Sequence, residues 1–236
     1  MYNKTIKEIL TYRNDKKEKI LSRFFKTGKG EYGEGDKFLG IMVPISRKIA
    51  QKYNNISFED ISKLLTNKYH EVRLVALLIL VHKYKIINKN DEKQKKEIVN
   101  FYLNNTKYIN NWDLVDLSAH YTLGQYLINK DKKILIKLAK SKSIWERRIA
   151  IISTFAFIYN NESEWTFRIV DMLLKDKHDL IQKACGWMLR EVGKRVSEKE
   201  LISYLDKNHH LMPRTTLRYA IERLPKKTRL YYLHLS

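Results

Sequence analysis

With one cysteine, three prolines and most of its eight glycines gathered in one stretch, this 236-residue chain has little in it to interrupt helices. The lone Cys185 excludes an internal disulfide framework and a cysteine-cluster metal site, and its apolar helical surroundings mark it as a buried small hydrophobe. The seven histidines show no HExxH-type spacing, and His209 and His210, being adjacent, point in different directions on a helix. No metal and no cofactor is expected. Long apolar runs are also missing: the longest, which takes in Val75 to Val81, is too short to span a bilayer, and the N-terminus has no apolar signal core. The chain reads as a cytoplasmic or nucleoid protein with no membrane partner.

Acidic residues are in short supply. Asp and Glu number 26 against 46 Lys and Arg, and the resulting charge of +20 favours a polyanionic partner, nucleic acid above all. A lysine-rich stretch such as Asn129 to Ser143 also fits a solvated helix face. The apolar fraction, 44%, is enough to bury a sizeable core.

What remains is periodic. Apolar residues recur at three and four in segment after segment, as in Ile61, Leu64, Leu65 and Ile169, Met172, Leu173, and no series of alternating strands is present. Helix starts are marked by Pro44, by Ser57 three before Asp60, by Asn111, and by Ser197 three before Glu200. These predict an all-α chain of about a dozen helices. A weak repeat aligns Glu71 to Ala76, Trp112 to Ala119, Trp145 to Ala150 and Asp179 to Ala184, with spacings of HEAT type. Residues 1–236 are therefore expected to form a single domain, a curved solenoid of degenerate HEAT-like repeats, and Arg73, Asp116, Arg148 and Lys183 would start on a basic concave face able to hold a duplex. Gly28, Gly30 and Gly33 match G-x-G-x-x-G, but a basic helical segment precedes them and no βαβ unit follows, so the dinucleotide reading fails. The glycines are expected to let Tyr32 approach a ligand on a flexible lip.

Three segments place a carboxylate among rings and cations. Trp112 and Asp116 are four apart and share a helix face, as do Lys183, Trp187, Arg190 and Lys194 at steps of four, three and four. Asp113 reads as a first-turn acid opposing the helix dipole. Asp116 lies past that turn and is open between an ion pair with an arginine and a catalytic role. For Lys183 the alternative to a phosphate contact is an ion pair with Asp179, and Trp145 and Trp165 read as packing residues.

These segments resemble the AlkD-like DNA alkylation repair enzymes, bacterial DNA glycosylases built from HEAT-like repeats. The family's W-D-x-V-D stretch is Trp112 to Asp116, its W-x-x-R-A-A-like stretch Trp145 to Ala150, its I-Q-K-A-x-G-W-x-L-R-E stretch Ile181 to Glu191, and its F-L-G-[IV]-x-x-P stretch Phe38 to Pro44. The resemblance implies Asp116 as the catalytic carboxylate, Trp112 and Trp187 as aromatic walls beside the lesion, Arg148 as a cation near the DNA backbone and Tyr32 as a third aromatic. By position Arg47, Lys48, Arg190 and Lys194 would contact phosphates, together with Arg73 and Lys183 from the repeat alignment. The implied partner is double-stranded DNA bound by a monomer.

The implied reaction is hydrolysis of the N-glycosidic bond to N7-alkylguanine or N3-alkyladenine, without a deep base-flipping pocket. Such a base is already cationic, so it leaves without a general acid, and a negative charge beside the sugar is the main requirement. His120, four residues on from Asp116, is the one rival proton donor, and packing or a backbone hydrogen bond is its expected role. Two other readings compete: a noncatalytic HEAT-like binder of branched or distorted DNA, and a protein-interaction scaffold. Retention of Asp116 with its aromatic neighbours argues against the first, and the net charge against the second.

Overall fold

The computed structural model describes residues 1–88 and 90–235. Two compact units divide the chain at Thr122 and Leu123. The first contains α1 (Tyr2–Thr11), α2 (Asp15–Phe24), α3 (Val43–Lys52), α4 (Phe58–Leu65), α5 (His70–Ile86), α6 (Glu92–Asn104) and the short α7 (Trp112–Asp116). In the second lie α8 (Gln125–Leu127), α9 (Lys133–Ala139), α10 (Ile144–Ser153), α11 (Phe155–Tyr159), α12 (Glu164–Leu173), α13 (Asp179–Arg195), α14 (Glu198–Asn208), α15 (Arg214–Ala220) and α16 (Lys226–Leu235). The all-α expectation is met: among the described residues the one strand-like feature is an isolated bridge between Lys37 and Tyr69. No described helix is long and apolar enough to cross a membrane.

The caps read from sequence are in place. Ser57 accepts a hydrogen bond from the Asp60 amide and Ser197 from that of Glu200, each at 3.2 Å, and Pro44 lies in the first turn of α3. The helices are cut more finely than periodicity predicts. Thr154, whose hydroxyl donates to the Ile151 carbonyl at 2.7 Å, divides α10 from α11.

Both units contain consecutive helices packed as pairs. In the first, α4 packs on α5, and α5 meets α3, α6 and α7. In the second, α9 pairs with α10, α12 with α13, and the later helices α10, α13 and α15 pack side by side in that order. This pairing is the arrangement helical repeats use to bury faces that no single pair can cover. One contact recurs at the start of these helices. The fourth residue of α5, α10 and α13 donates to the carbonyl six residues earlier: Arg73 to Asn67 at 3.1 Å, Arg147 to Ser141 at 2.9 Å and Gln182 to Asp176 at 2.9 Å. A long side chain there closes the turn leading into the helix. The central helices are buried on most sides; α5 is buried from His70 to Val81 without a break.

Candidate functional site

Helix α7 carries both Trp112 and Asp116 and is only five residues long. Its own backbone hydrogen bonds cannot hold it, so its orientation must come from anchors. Asn111 supplies one, accepting from the Trp112 amide at 2.8 Å. Asp113 supplies another: Oδ1 accepts from the Leu114 amide and Oδ2 lies 2.8 Å from His70 Nε2. Asp113 sits in the first turn, as the sequence indicates, with its carboxylate buried and hydrogen-bonded there.

His70 joins this helix to the glycine-rich loop. Its Nδ1 lies 3.2 Å from Asp36 Oδ2, whose other oxygen takes the Arg73 Nη2 at 2.6 Å, while Asn111 donates to Asp36 at 3.3 Å. Burial alone would drive His70 to its neutral form, but Asp113 and Asp36 outweigh it and lift its pKa to about 9. Burial likewise opposes ionisation of Asp36, yet His70 and Arg73 hold its carboxyl below the usual range. Arg73 is thus 5% exposed and engaged with Asp36 and the Asn67 carbonyl, which corrects its expected place on a DNA-facing surface. Beside it, Glu71 directs its buried carboxylate to the amides of Leu39, Gly40 and Ile41 at 2.8–3.1 Å, and so pins the Phe38 to Pro44 segment.

Rings cover this network. Phe38 stacks on His70 at 4.5 Å, Phe25 on Phe38 at 5.0 Å, and Trp112 on Phe25 at 5.1 Å. Phe24, 60% exposed, sets its edge against Trp112 at 5.7 Å. Sequence reasoning passed over Phe24, Asp36, His70 and Glu71. The available signals were a doubled aromatic after a basic helix and a His-Glu pair opening a long apolar run. Tyr32 is half-buried, with the Lys26 ammonium 5.8 Å over its ring. Its loop closes on itself: Gly28 and Gly30 donate to Glu31 and Glu34, and a Cβ at Gly33 would collide with the Phe25 carbonyl. Gly33 is thus required by the loop's own packing, while Gly30 and Gly35 supply the positive φ of its turns.

Asp116 is half-buried, on the Trp112 face of α7. The His120 imidazole donates back to the Asp116 backbone carbonyl, and burial, aided by the charge of Arg47, pushes its pKa down to about 4. His120 is neutral at physiological pH, with no imidazolium proton to give. Arg47 and Lys48, both exposed on α3, have no counter-ion among the described residues.

In the second unit Arg148 is buried and donates Nη1 to the Leu180 carbonyl. Its neighbour Arg147 bonds Asp176 at 2.6 Å. Trp187 is half-buried on α13, edge-on to Phe155 at 5.7 Å. Along the same helix Lys183 pairs with Asp179 at 2.7 Å and Arg190 with Glu222, while Lys194 is exposed with no counter-ion among the described residues. Gly186, one residue before Trp187, sits so close to α15 that a Cβ would collide with the Thr216 carbonyl. The glycine of that motif is thus a packing requirement. Cys185 is buried, and burial pushes its thiol pKa well up. No group of acids, histidines and cysteines among the described residues could hold a metal ion.

A sequence model of the DNA alkylation repair enzyme family matches residues 5–224. No curated protein matches significantly by sequence. Among solved structures, a predicted DNA alkylation repair enzyme from Enterococcus faecalis is similar, with a TM-score of 0.67, 91% of this chain and 97% of that one covered, and 15% sequence identity. At that identity the likeness speaks for the fold. The family match spans nearly the whole sequence and includes α7 with its carboxylate and indole, and the chain belongs to the DNA alkylation repair enzyme family.

Proposed function

We propose that the chain is a DNA glycosylase that hydrolyses the N-glycosidic bond of N7-alkylguanine and N3-alkyladenine in duplex DNA, without a deep pocket for a flipped base. The observation that carries this reading is the pairing of a half-buried Asp116 with Trp112 on one face of α7, with a neutral His120 behind it. A cationic purine needs no proton to leave, so the carboxylate's task is to stabilise the oxocarbenium-like sugar and orient water. Trp112 offers its π-face to the cationic base, and Phe24, edge-on to it and exposed, joins it as an aromatic contact. Trp187 is assigned as an aromatic surface for DNA on the second unit, and Tyr32 as one on the glycine-rich loop of the first. Arg148, as buried as Arg73 and bonded to the Leu180 carbonyl, is assigned to shaping the start of α13 and, against the expectation from sequence, not to the DNA backbone.

Arg47, Lys48 and Lys194 are the phosphate contacts best supported, being exposed and without protein counter-ions among the described residues. Lys183 can join them by exchanging its surface partner, because exposed ion pairs are worth little, whereas Arg190 is also held by the buried Glu191. Arg73 is left out of this set. The deciding experiment is release of free base from a duplex carrying a single N7-methylguanine. Release supports the assignment, whereas tight duplex binding with no release would reduce the protein to a noncatalytic DNA binder.

A further inference from the structure

Base excision by Asp116 requires α7 to be held at a fixed angle, and the helix is too short to do this for itself. The groups facing His70 come from three elements. Asp113 approaches from α7, Asp36 from the glycine-rich loop, and Arg73 lies one turn along α5, while Phe25 and Phe38 cover the imidazole ring. Both ring nitrogens lie within hydrogen-bond distance of carboxylate oxygens, at 2.8 Å and 3.2 Å. A neutral imidazole carries one N–H and could satisfy only one of them. The imidazolium satisfies both and completes an alternating row of charges, Arg73, Asp36, His70, Asp113, shielded from water.

We propose that His70 is a positioning residue for base excision: by bonding Asp113 and Asp36 at once, it fixes α7, and with it Asp116 and Trp112, against the glycine-rich loop. The proposal rests on the functional reading above for its consequence and on the hydrogen bonds for its geometry. His70 itself touches no substrate. Its effect on rate comes through the placement of a carboxylate, where a displacement near 1 Å costs on the order of 100-fold. Duplex affinity depends on exposed cations such as Arg47 and Lys48, which lie on a different helix and share no partner with it.

The test combines kinetics with amide hydrogen exchange on the full chain. In His70→Gln, single-turnover excision at saturating enzyme is expected to fall by on the order of 100-fold, with affinity for undamaged duplex within about twofold of wild type. Exchange over Trp112–Asp116 should quicken about tenfold or more while α4, in the same unit, keeps its protection. Asp113→Asn retains His70 but replaces one of two accepting oxygens by an amide; it should show the same selective exchange and a smaller rate loss, and it carries the test if His70→Gln does not fold. Unchanged exchange in α7, an unchanged rate, or loss of protection spread evenly over the unit would each overturn the proposal. A wild-type chain that releases no base, with exchange still quickened in α7 alone, would overturn the functional reading and leave the anchoring in place.

Discussion

Arg73 and Arg147 hold the same register in two different helices, each at the fourth position and each donating Nη1 to the carbonyl six residues before it. Both also bind an aspartate at 2.6 Å, Asp36 and Asp176 respectively. Arginine at this position thus ties down the turn into a helix, which is why Arg73 is unavailable to DNA. Substituting Arg73→Ala leaves the buried Asp36 with His70 and Asn111 as partners and should destabilise the first unit by about 1.5–3 kcal/mol. Arg47→Ala should leave the melting temperature unchanged and shallow the log-log salt slope of duplex binding by about one. Equal melting temperatures for the two variants would refute this division of roles.

Asp116→Asn is expected to lower single-turnover excision by on the order of 100-fold while leaving folding and duplex affinity nearly intact. The amide has the shape of the carboxylate but none of its charge. Excision within threefold of wild type, roughly the scatter expected of an uninvolved surface site, would remove Asp116 from the chemistry.

Phe24→Ala should weaken capture of alkylated duplex by on the order of tenfold, the loss of one aromatic face against DNA. Because the ring is 60% exposed, the melting temperature should barely move. A marked loss of stability with unaltered binding would show that Phe24 only packs on Trp112.

Two histidines give the first unit opposite pH responses. His70 has its pKa raised from 6.5 to about 9, so the stability it contributes is complete below 6.5 and is lost as pH rises through 9. His120 has its pKa lowered from 6.5 to about 4, so the unfolded chain takes up its proton first and stability falls as pH drops from 6.5 toward 4. Each shift corresponds to about 3 kcal/mol. Denaturant unfolding should therefore give greatest stability near pH 6.5, and His70→Gln should flatten the alkaline limb alone. A monotonic profile from pH 4 to 9 would contradict it.

Gly186→Ala should destabilise the second unit by about 1–3 kcal/mol, since the added methyl meets the Thr216 carbonyl of α15. Thermal melts of this variant beside Gly30→Ala, whose site has open space but a positive φ of 79°, separate a packing cost from a backbone cost.

The local features of this protein were determined by the sequence alone. The spacing of Ile61, Leu64 and Leu65, the caps at Ser57 and Ser197, and the proline opening α3 act within a few residues, so they survive without knowledge of the fold. Pairing Trp112 with Asp116 on one face was legible for the same reason, as was the Lys183–Asp179 ion pair. The tertiary structure decided which charges are solvated and which are internal. Arg47 and Arg73 look alike as basic helical residues, yet one is exposed and the other is closed in by an aspartate 37 residues away. Asp113 meets His70 across 43 residues and Asn111 meets Asp36 across 75, distances over which no local pattern operates. Whether a charged side chain meets water or a counter-charge depends on what chain reversal brings beside it, and burial then sets both its pKa and its role.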